Sequence, residues 1–267
     1  MGDVILSNLA IMLAIFTGVW VLSVAIKNAS IVDILWGPAC AFPAVLTWFR
    51  ADGMEPRATL LTLLVALWGA RLGGYLAFRN IGHGEDYRYV AMRKKAGSDK
   101  AFAIQSLFRV FVLQCLIAFF VSLPTQVGQF GSSSVFGTGS GSLGLLGYLG
   151  VAIFVIGLTF EAVGDAQLRA FKAKDENKGK LMTVGLWAWT RHPNYFGDAA
   201  VWTGLTLIAL ESQSGYLTVL SPALMIFFLY AVSGKALLEK GMAKKYPEYA
   251  SYKEHVSGFF PMPPKRS

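Results

Sequence analysis

The chain has 267 residues, 54% of them hydrophobic and only 15% charged, with a mean hydropathy of +0.49. A soluble domain of this size carries about 25% charged residues, so the composition excludes an ordinary soluble fold as well as disordered, collagen-like and disulfide-rich classes. Lys and Arg number 24 against 16 Asp and Glu, a net charge of +8. Cys40 and Cys115 both lie inside apolar runs and read as packing residues.

A membrane-crossing helix needs about 20 mainly apolar residues. In chain order the runs Val4–Ile26, Ile31–Phe49, Thr59–Phe78, Phe102–Leu123, Leu143–Phe160, Phe196–Leu210 and Tyr216–Val232 predict about seven transmembrane helices. The first run is too long for a secretory h-region, has Asp3 and no basic residue before it, and lacks an Ala-x-Ala site, so it is predicted to be a span. The sixth is short, and the break at 211–215 makes it a hairpin with the seventh. The whole chain, 1–267, reads as one all-α integral membrane domain. No internal repeat suggests an inverted-repeat transporter.

Basic residues set the orientation. They cluster between the third and fourth spans (Arg79 to Lys100), between the fifth and sixth (Arg169 to Arg191), and after the seventh (Lys235 to Arg266). The segment 124–142 carries no charge. The prediction is an outer N-terminus and a cytosolic C-terminus; the loop 50–57, with Arg50 and Arg57, is the exception to the rule.

Several tempting motifs carry little. Gly139-x-Gly141-x-x-Gly144 matches a dinucleotide fingerprint but precedes a span, not the helix of a βαβ unit. Only His83, His192 and His255 are available, too few for a membrane di-iron site, and no metal is expected. A Gly-x-Ser-x-Gly nucleophile elbow is also missing.

Ionisable groups inside spans are costly and mark function. Asp33 stands one turn into the second span and Arg71 near the end of the third, at the same expected depth, so an Asp33–Arg71 pair is allowed. An ordinary helix-end charge beside a snorkelling arginine remains the alternative. Trp36 and Trp68 lie about one turn from these two and suit the walls of a site for a flat lipid. The stretch 79–89, with Glu85 and Tyr87, interleaves aromatic and charged side chains that suit a phosphate or a ring. Glu161, Asp165 and Arg169 follow at i, i+4 and i+8, on one helix face. The string Gly185-Leu-Trp-Ala-Trp-Thr-Arg191-His192-Pro193-Asn194-Tyr195-Phe-Gly197-Asp198 places a polar cluster where Pro193 opens a helix.

The string Arg191 to Asp198 resembles the signature of the bacterial DUF1295 proteins, relatives of the steroid 5-alpha-reductase C-terminal domain. Asp33…Trp36-Gly37, Trp68-Gly69…Arg71, Arg79-Asn80…Glu85-Asp86…Arg88-Tyr89 and the tail from Leu237 to Pro261 are similar to that family too. The resemblance covers nearly the whole chain, with the signature region at 150–264. It implies a helical bundle around a cofactor cavity open to the cytosol, in a multi-pass protein of the bacterial inner membrane. It further implies NADPH, held by Asp165, Arg169, Asn194 and Asp198, with Arg191, His192, Tyr195 and Glu239 as further contacts. Asp33 and Arg71 would then be catalytic, and Trp36, Trp68, Glu85 and Tyr87 would meet a steroid or other hydrophobic lipid enone. No nucleic acid is expected; membrane lipids are.

Two departures open alternatives. The steroid enzymes use a Gln-Glu pair and a Tyr where Ile-Val-Asp33 and Trp68 fall here. Arg-His-Pro-x-Tyr-x-Gly is also similar to the isoprenylcysteine and phospholipid methyltransferases, which use S-adenosylmethionine. A non-catalytic membrane protein is the third reading. The orientation has a direct check: a cysteine at Ser98 should react with an impermeant reagent from the cytosolic side alone, and one at Ser133 from the opposite side alone. Labelling of both from one side would overturn the predicted topology.

Overall fold

A computed structural model describes residues 1–51, 55–131, 142–232 and 235–264. Gly139, Gly141 and Ser133 lie outside the described residues. All regular elements described are helical, with one isolated bridge between Thr190 and Ser257. The long helices are α1 (Gly2–Ala25), α2 (Ile31–Arg50), α3 (Pro56–Asn80), a continuous stretch Asp99–Val127, and α7 (Leu145–Lys172); these five are long and apolar enough to cross a membrane. Within Asp99–Val127, α5 (Asp99–Ser106) passes through a π-helical stretch, Leu107–Val112, into α6 (Leu113–Val127). The short helix α4 (Tyr87–Ala96) precedes it. The expected sixth and seventh spans are shorter helices: α8 (Pro193–Ala209) has 17 residues, and the apolar segment Gly215–Ala231 contains α9 (Leu220–Phe227). Helices α10 (Lys235–Lys245) and α11 (Tyr249–His255) end the chain.

The chain divides into two compact units, Met1–Leu146 with Ile208–Thr218, and Gly147–Leu207 with Val219–Ser267. In the first unit α2 and α3 pack so closely that a Cβ added to Gly69 would lie 2.6 Å from the Gly37 carbonyl oxygen. Gly73 sits against Pro38 in the same seam. The helix interior accepts Pro38 and Pro43, tolerated in spans where neighbouring groups satisfy the freed backbone. Polar groups tie α1 to this pair: the Asn8 amide donates to Thr47 Oγ1 at 2.8 Å and to Gln126 Oε1 at 2.9 Å.

Arg57, one of the two arginines that run against the expected orientation, is held inside the protein. It is 1% exposed, with Nε donating to the Gly128 carbonyl and Nη1 to the Glu211 carbonyl, both at 3.1 Å. Its Nη2 donates to the Gly131 carbonyl. Glu55 lies 3.6 Å away. Glu211 in turn accepts from the Gly144 amide at 2.8 Å. Arg57 therefore gathers the ends of α3, α6 and α8 into one knot, and its charge is spent inside the protein.

Removing one member of a buried charged cluster typically costs about 3–5 kcal/mol. Arg57→Ala should therefore lower the thermal midpoint of the detergent-solubilised protein sharply, with Arg57→Lys recovering part of the loss. A midpoint unchanged in Arg57→Ala would dismiss the knot as a stabilising element.

Candidate active site

In the second unit, α7 and α8 meet through glycine. A Cβ on Gly157 would stand 2.6 Å from the Gly197 carbonyl oxygen, and one on Gly197 would stand 2.6 Å from the Glu161 amide nitrogen. Gly204 meets the Gly150 carbonyl in the same way. On α7 the contacts recur at 150, 157 and 164, a spacing of seven that keeps them on one seam. Small residues at this spacing let backbones approach in membrane bundles. The seam presses the polar end of α7 against the start of α8, where Pro193 packs on Gly164.

Glu161 and Asp165 are consequently buried, at 3% and 5% exposure. The Asn194 amide donates to Asp165 Oδ1 at 3.2 Å. Asp198, one turn along α8, is half-buried, and Arg169, one turn beyond Asp165, is exposed. Of the residues expected at the site, Asp165 and Asn194 are thus brought into direct contact. Two carboxylates, an amide and the first turn of a helix form a set able to hold hydroxyl and amide groups. Arg169 and Lys172 stand as cations in the last turn of α7.

Arg191, His192 and Glu239 form a second cluster. Glu239 Oε1 accepts from Arg191 Nη2 at 3.0 Å and from Arg191 Nε at 3.1 Å, and lies 3.2 Å from His192 Nε2. Arg191 Nη1 donates to the carbonyls of Lys253 and Val256. The tail wraps the same segment: the Arg191 amide donates to the Ser257 carbonyl, the Met262 amide to the Trp189 carbonyl, and Tyr252 to the Trp187 carbonyl. Arg191 and Glu239 therefore lock α10 and α11 onto the signature. Tyr195 stacks on His192 with ring centroids 5.3 Å apart.

The first unit holds a third cluster, and here the expected pairing is replaced. Asp33, 8% exposed, accepts from Arg88 Nη2 and from the Tyr89 hydroxyl, each at 2.7 Å. Gln114 donates to the Tyr89 oxygen at 3.2 Å and accepts from Trp36 Nε1 at 2.7 Å. Arg71 instead holds its guanidinium 5.8 Å from the Tyr75 ring centroid. The reason is rotation about the helix axis. Gly69 and Gly73 face α2, and a residue two positions from each is turned about 200° away.

Arg88, Tyr89 and Gln114 were outside the expected site. Arg88 and Tyr89 fall in the stretch 79–89 that the sequence marks as rich in charged and aromatic groups, whereas Gln114 carries no such signal; Asp86 caps α4, accepting from the Arg88 amide at 2.9 Å. Burial and the neighbouring Asp33 push the Tyr89 hydroxyl well above the usual tyrosine range, so it stays protonated and donates. Glu85 is committed to Arg93 and to the Ala29 amide at 2.8 Å. Trp68 is fully buried, while Tyr87 is 71% exposed. Among the described residues no cluster could hold a metal ion.

The family DUF1295, described as proteins of unknown function, matches residues 19–256. The chain belongs to this steroid 5-alpha-reductase-like membrane family. An uncharacterized protein of Schizosaccharomyces pombe is 25% identical over 268 aligned positions, covering 91% of this chain and 75% of that protein. The probable O-methyltransferase ustE of Ustilaginoidea virens is 35% identical over 88 residues, 33% of this chain and 29% of that protein. No solved structure matches the chain.

The tail lock depends on pH in a defined sense. Burial opposes ionisation of Glu239, but hydrogen bonds from His192 and Arg191 outweigh it and hold its carboxyl at about 2. An unfolded glutamate titrates near ~4.3. A depressed native value gives stability that is present above that unfolded value and lost as pH falls towards the native one. Glu239→Gln should thus be less stable than the parent at pH 6, and the gap in thermal midpoint should close between about pH 4 and 2. A gap constant over that range would remove the charge from the account.

Proposed function

We propose that this protein is a membrane-embedded, NADPH-dependent reductase of a conjugated C=C bond in a 3-oxo-steroid or another lipid enone. The observation that carries the reading is the hydrogen-bonded Asp165–Asn194 pair, held beside Glu161 by the glycine seam. The donor set suits the cofactor: carboxylates for ribose hydroxyls, the Asn194 and Asp165 pair for an amide, and Arg169 with Lys172 for phosphate. When bound, NADPH supplies a hydride to the β-carbon of the enone.

The other requirement is a donor for the carbonyl oxygen, which gains negative charge as the hydride arrives. A donor fixed in advance of that charge is worth about 3 kcal/mol of barrier, roughly a hundredfold in rate. Among the first unit's own groups Tyr89 is a donor of this kind: its hydroxyl is protonated at neutral pH, and Asp33, Arg88 and Gln114 fix its position.

The second reading is an S-adenosylmethionine-dependent lipid or prenyl-cysteine methyltransferase, favoured by the stretch shared with ustE. Carboxylates that hold one ribose can hold the other, so the cofactor must be tested directly. A ligand at 100 times its Kd adds about 2.7 kcal/mol to stability. NADPH, and not S-adenosylmethionine, should raise the thermal midpoint of the purified protein, and Asn194→Ala should abolish that rise in a protein that still folds, at an unliganded midpoint lowered by the loss of the donor to Asp165. Stabilisation by S-adenosylmethionine alone selects the methyltransferase, and stabilisation by neither overturns both.

A further inference from the structure

A cavity of about 560 Å³ opens among the end of the last apolar segment, α10 and α11. Its volume falls in the range of sites for organic ligands rather than single ions. Buried Tyr249 and half-buried Glu239 line it, as do the exposed Lys240 and Lys253 and the tyrosines Tyr230 and Tyr246. Glu239 is the carboxylate among the lining residues, and its charge is already taken up by Arg191 and His192. Neither Lys240 nor Lys253 forms an ion pair among the described residues. The cleft therefore presents two uncompensated ammonium groups framed by tyrosines.

Its place in the chain narrows the ligand. Tyr230 ends the apolar segment Gly215–Ala231, and tyrosines at such ends sit at headgroup depth. Phe227 and Leu238, on the flanking helices, are exposed apolar side chains of the kind that acyl chains cover. Basic pockets at the cytosolic ends of membrane helices recognise anionic headgroups, and the expected topology puts this tail on that side. Positive charge, aromatic walls and adjoining apolar surface together fit an amphiphile with a phosphate, whereas a soluble anion would leave Phe227 and Leu238 unused.

We propose that the cleft between α10 and α11 binds the phosphodiester headgroup of an anionic glycerophospholipid, with Lys240 and Lys253 on the phosphate. The site is separate from the reductase reading and stands whichever cofactor is bound. Because Glu239 joins this cleft to the Arg191–His192 lock, lipid binding also steadies the tail that wraps the signature.

The test uses the full chain in nanodiscs of phosphatidylcholine, titrated with phosphatidylglycerol or with inorganic phosphate, read by thermal midpoint and native mass spectrometry. Phosphatidylglycerol should remain bound and raise the midpoint, and inorganic phosphate should do neither. Lysines near an anionic surface are worth roughly fivefold in affinity each; Lys240→Gln with Lys253→Gln should weaken phosphatidylglycerol binding roughly thirtyfold. Ala243→Trp, which keeps the charges and fills the cleft, should weaken it as well. Lys94→Gln with Lys95→Gln, an exposed basic pair on α4, should leave it close to the parent. Equal loss in the α4 pair, no loss in Ala243→Trp, or an equal response to inorganic phosphate would each overturn the proposal.

Discussion

The close approach of α7 and α8 at Gly157 and Gly197 is the constraint on which the second unit depends. With Cβ atoms there the backbones would separate, and the Asn194–Asp165 hydrogen bond at 3.2 Å would have no helix pair to span it. Small residues here serve chemistry through geometry. They bring two carboxylates, unfavourable in an apolar helix, beside the amide and helix start that compensate them. The polar groups and the glycines are two halves of one arrangement.

Charge compensation takes a different form at each buried ion. Arg57 is satisfied by backbone carbonyls and holds loop ends together. Glu239 is satisfied by Arg191 and His192 and fastens the tail. Asp33 is satisfied by Arg88 and a tyrosine hydroxyl. The first two exhaust their partners in structural bonds. The third differs because Tyr89 accepts from Gln114 as well as donating to Asp33, so its hydroxyl lies within a chain of exchangeable donors that ends at Trp36. A group of that kind can be redirected to a ligand without leaving a buried charge bare, which is why it suits chemistry better than Arg57 does.

Much of this was legible in the residues. Apolar runs gave the long helices to within a few positions, except that α7 continues past the expected Phe160 to Lys172, because length and hydrophobicity are properties of the local chain and the polar turn from Glu161 onward carries no apolar signal. The i, i+4 spacing of Glu161 and Asp165 gave their shared face for the same reason. The pairing of Asp33 with Arg71 was argued from depth, and depth is only one of two cylindrical coordinates. The other follows from which glycines face the neighbouring helix. Gly69 and Gly73 at i and i+4 were there to be read, and they turn Arg71 away. Helix α4 lies outside every apolar run, although Asp86 precedes it and Gly97, in the left-handed region at φ 79°, ends it. Polar composition hid a helix whose caps were visible. The wrapping of residues 252–262 around Trp187 to Arg191 had no local signal, since it rests on backbone groups of segments some 65 positions apart.

That wrapping bears on what the signature means. Arg191 spends its guanidinium on Glu239 and on tail carbonyls, and the Thr190 hydroxyl donates to the Phe259 carbonyl at 2.9 Å. Pro193 packs on Gly164 and starts α8, and Gly197 lets α8 reach α7. Each of these residues builds the scaffold, and none needs a particular cofactor to explain it. A signature of this kind can therefore be shared by enzymes that bind NADPH and by enzymes that bind S-adenosylmethionine, because it specifies how a helix start is presented and not what is presented to it. In the reading proposed above, the choice between the two falls to the polar groups around that frame: Asp165, hydrogen-bonded to Asn194 across the facing turns, Asp198 one turn further, and the cations Arg169 and Lys172. Similarity confined to Arg-His-Pro-x-Tyr-x-Gly reports the frame, and discrimination between the chemistries belongs to the positions around it.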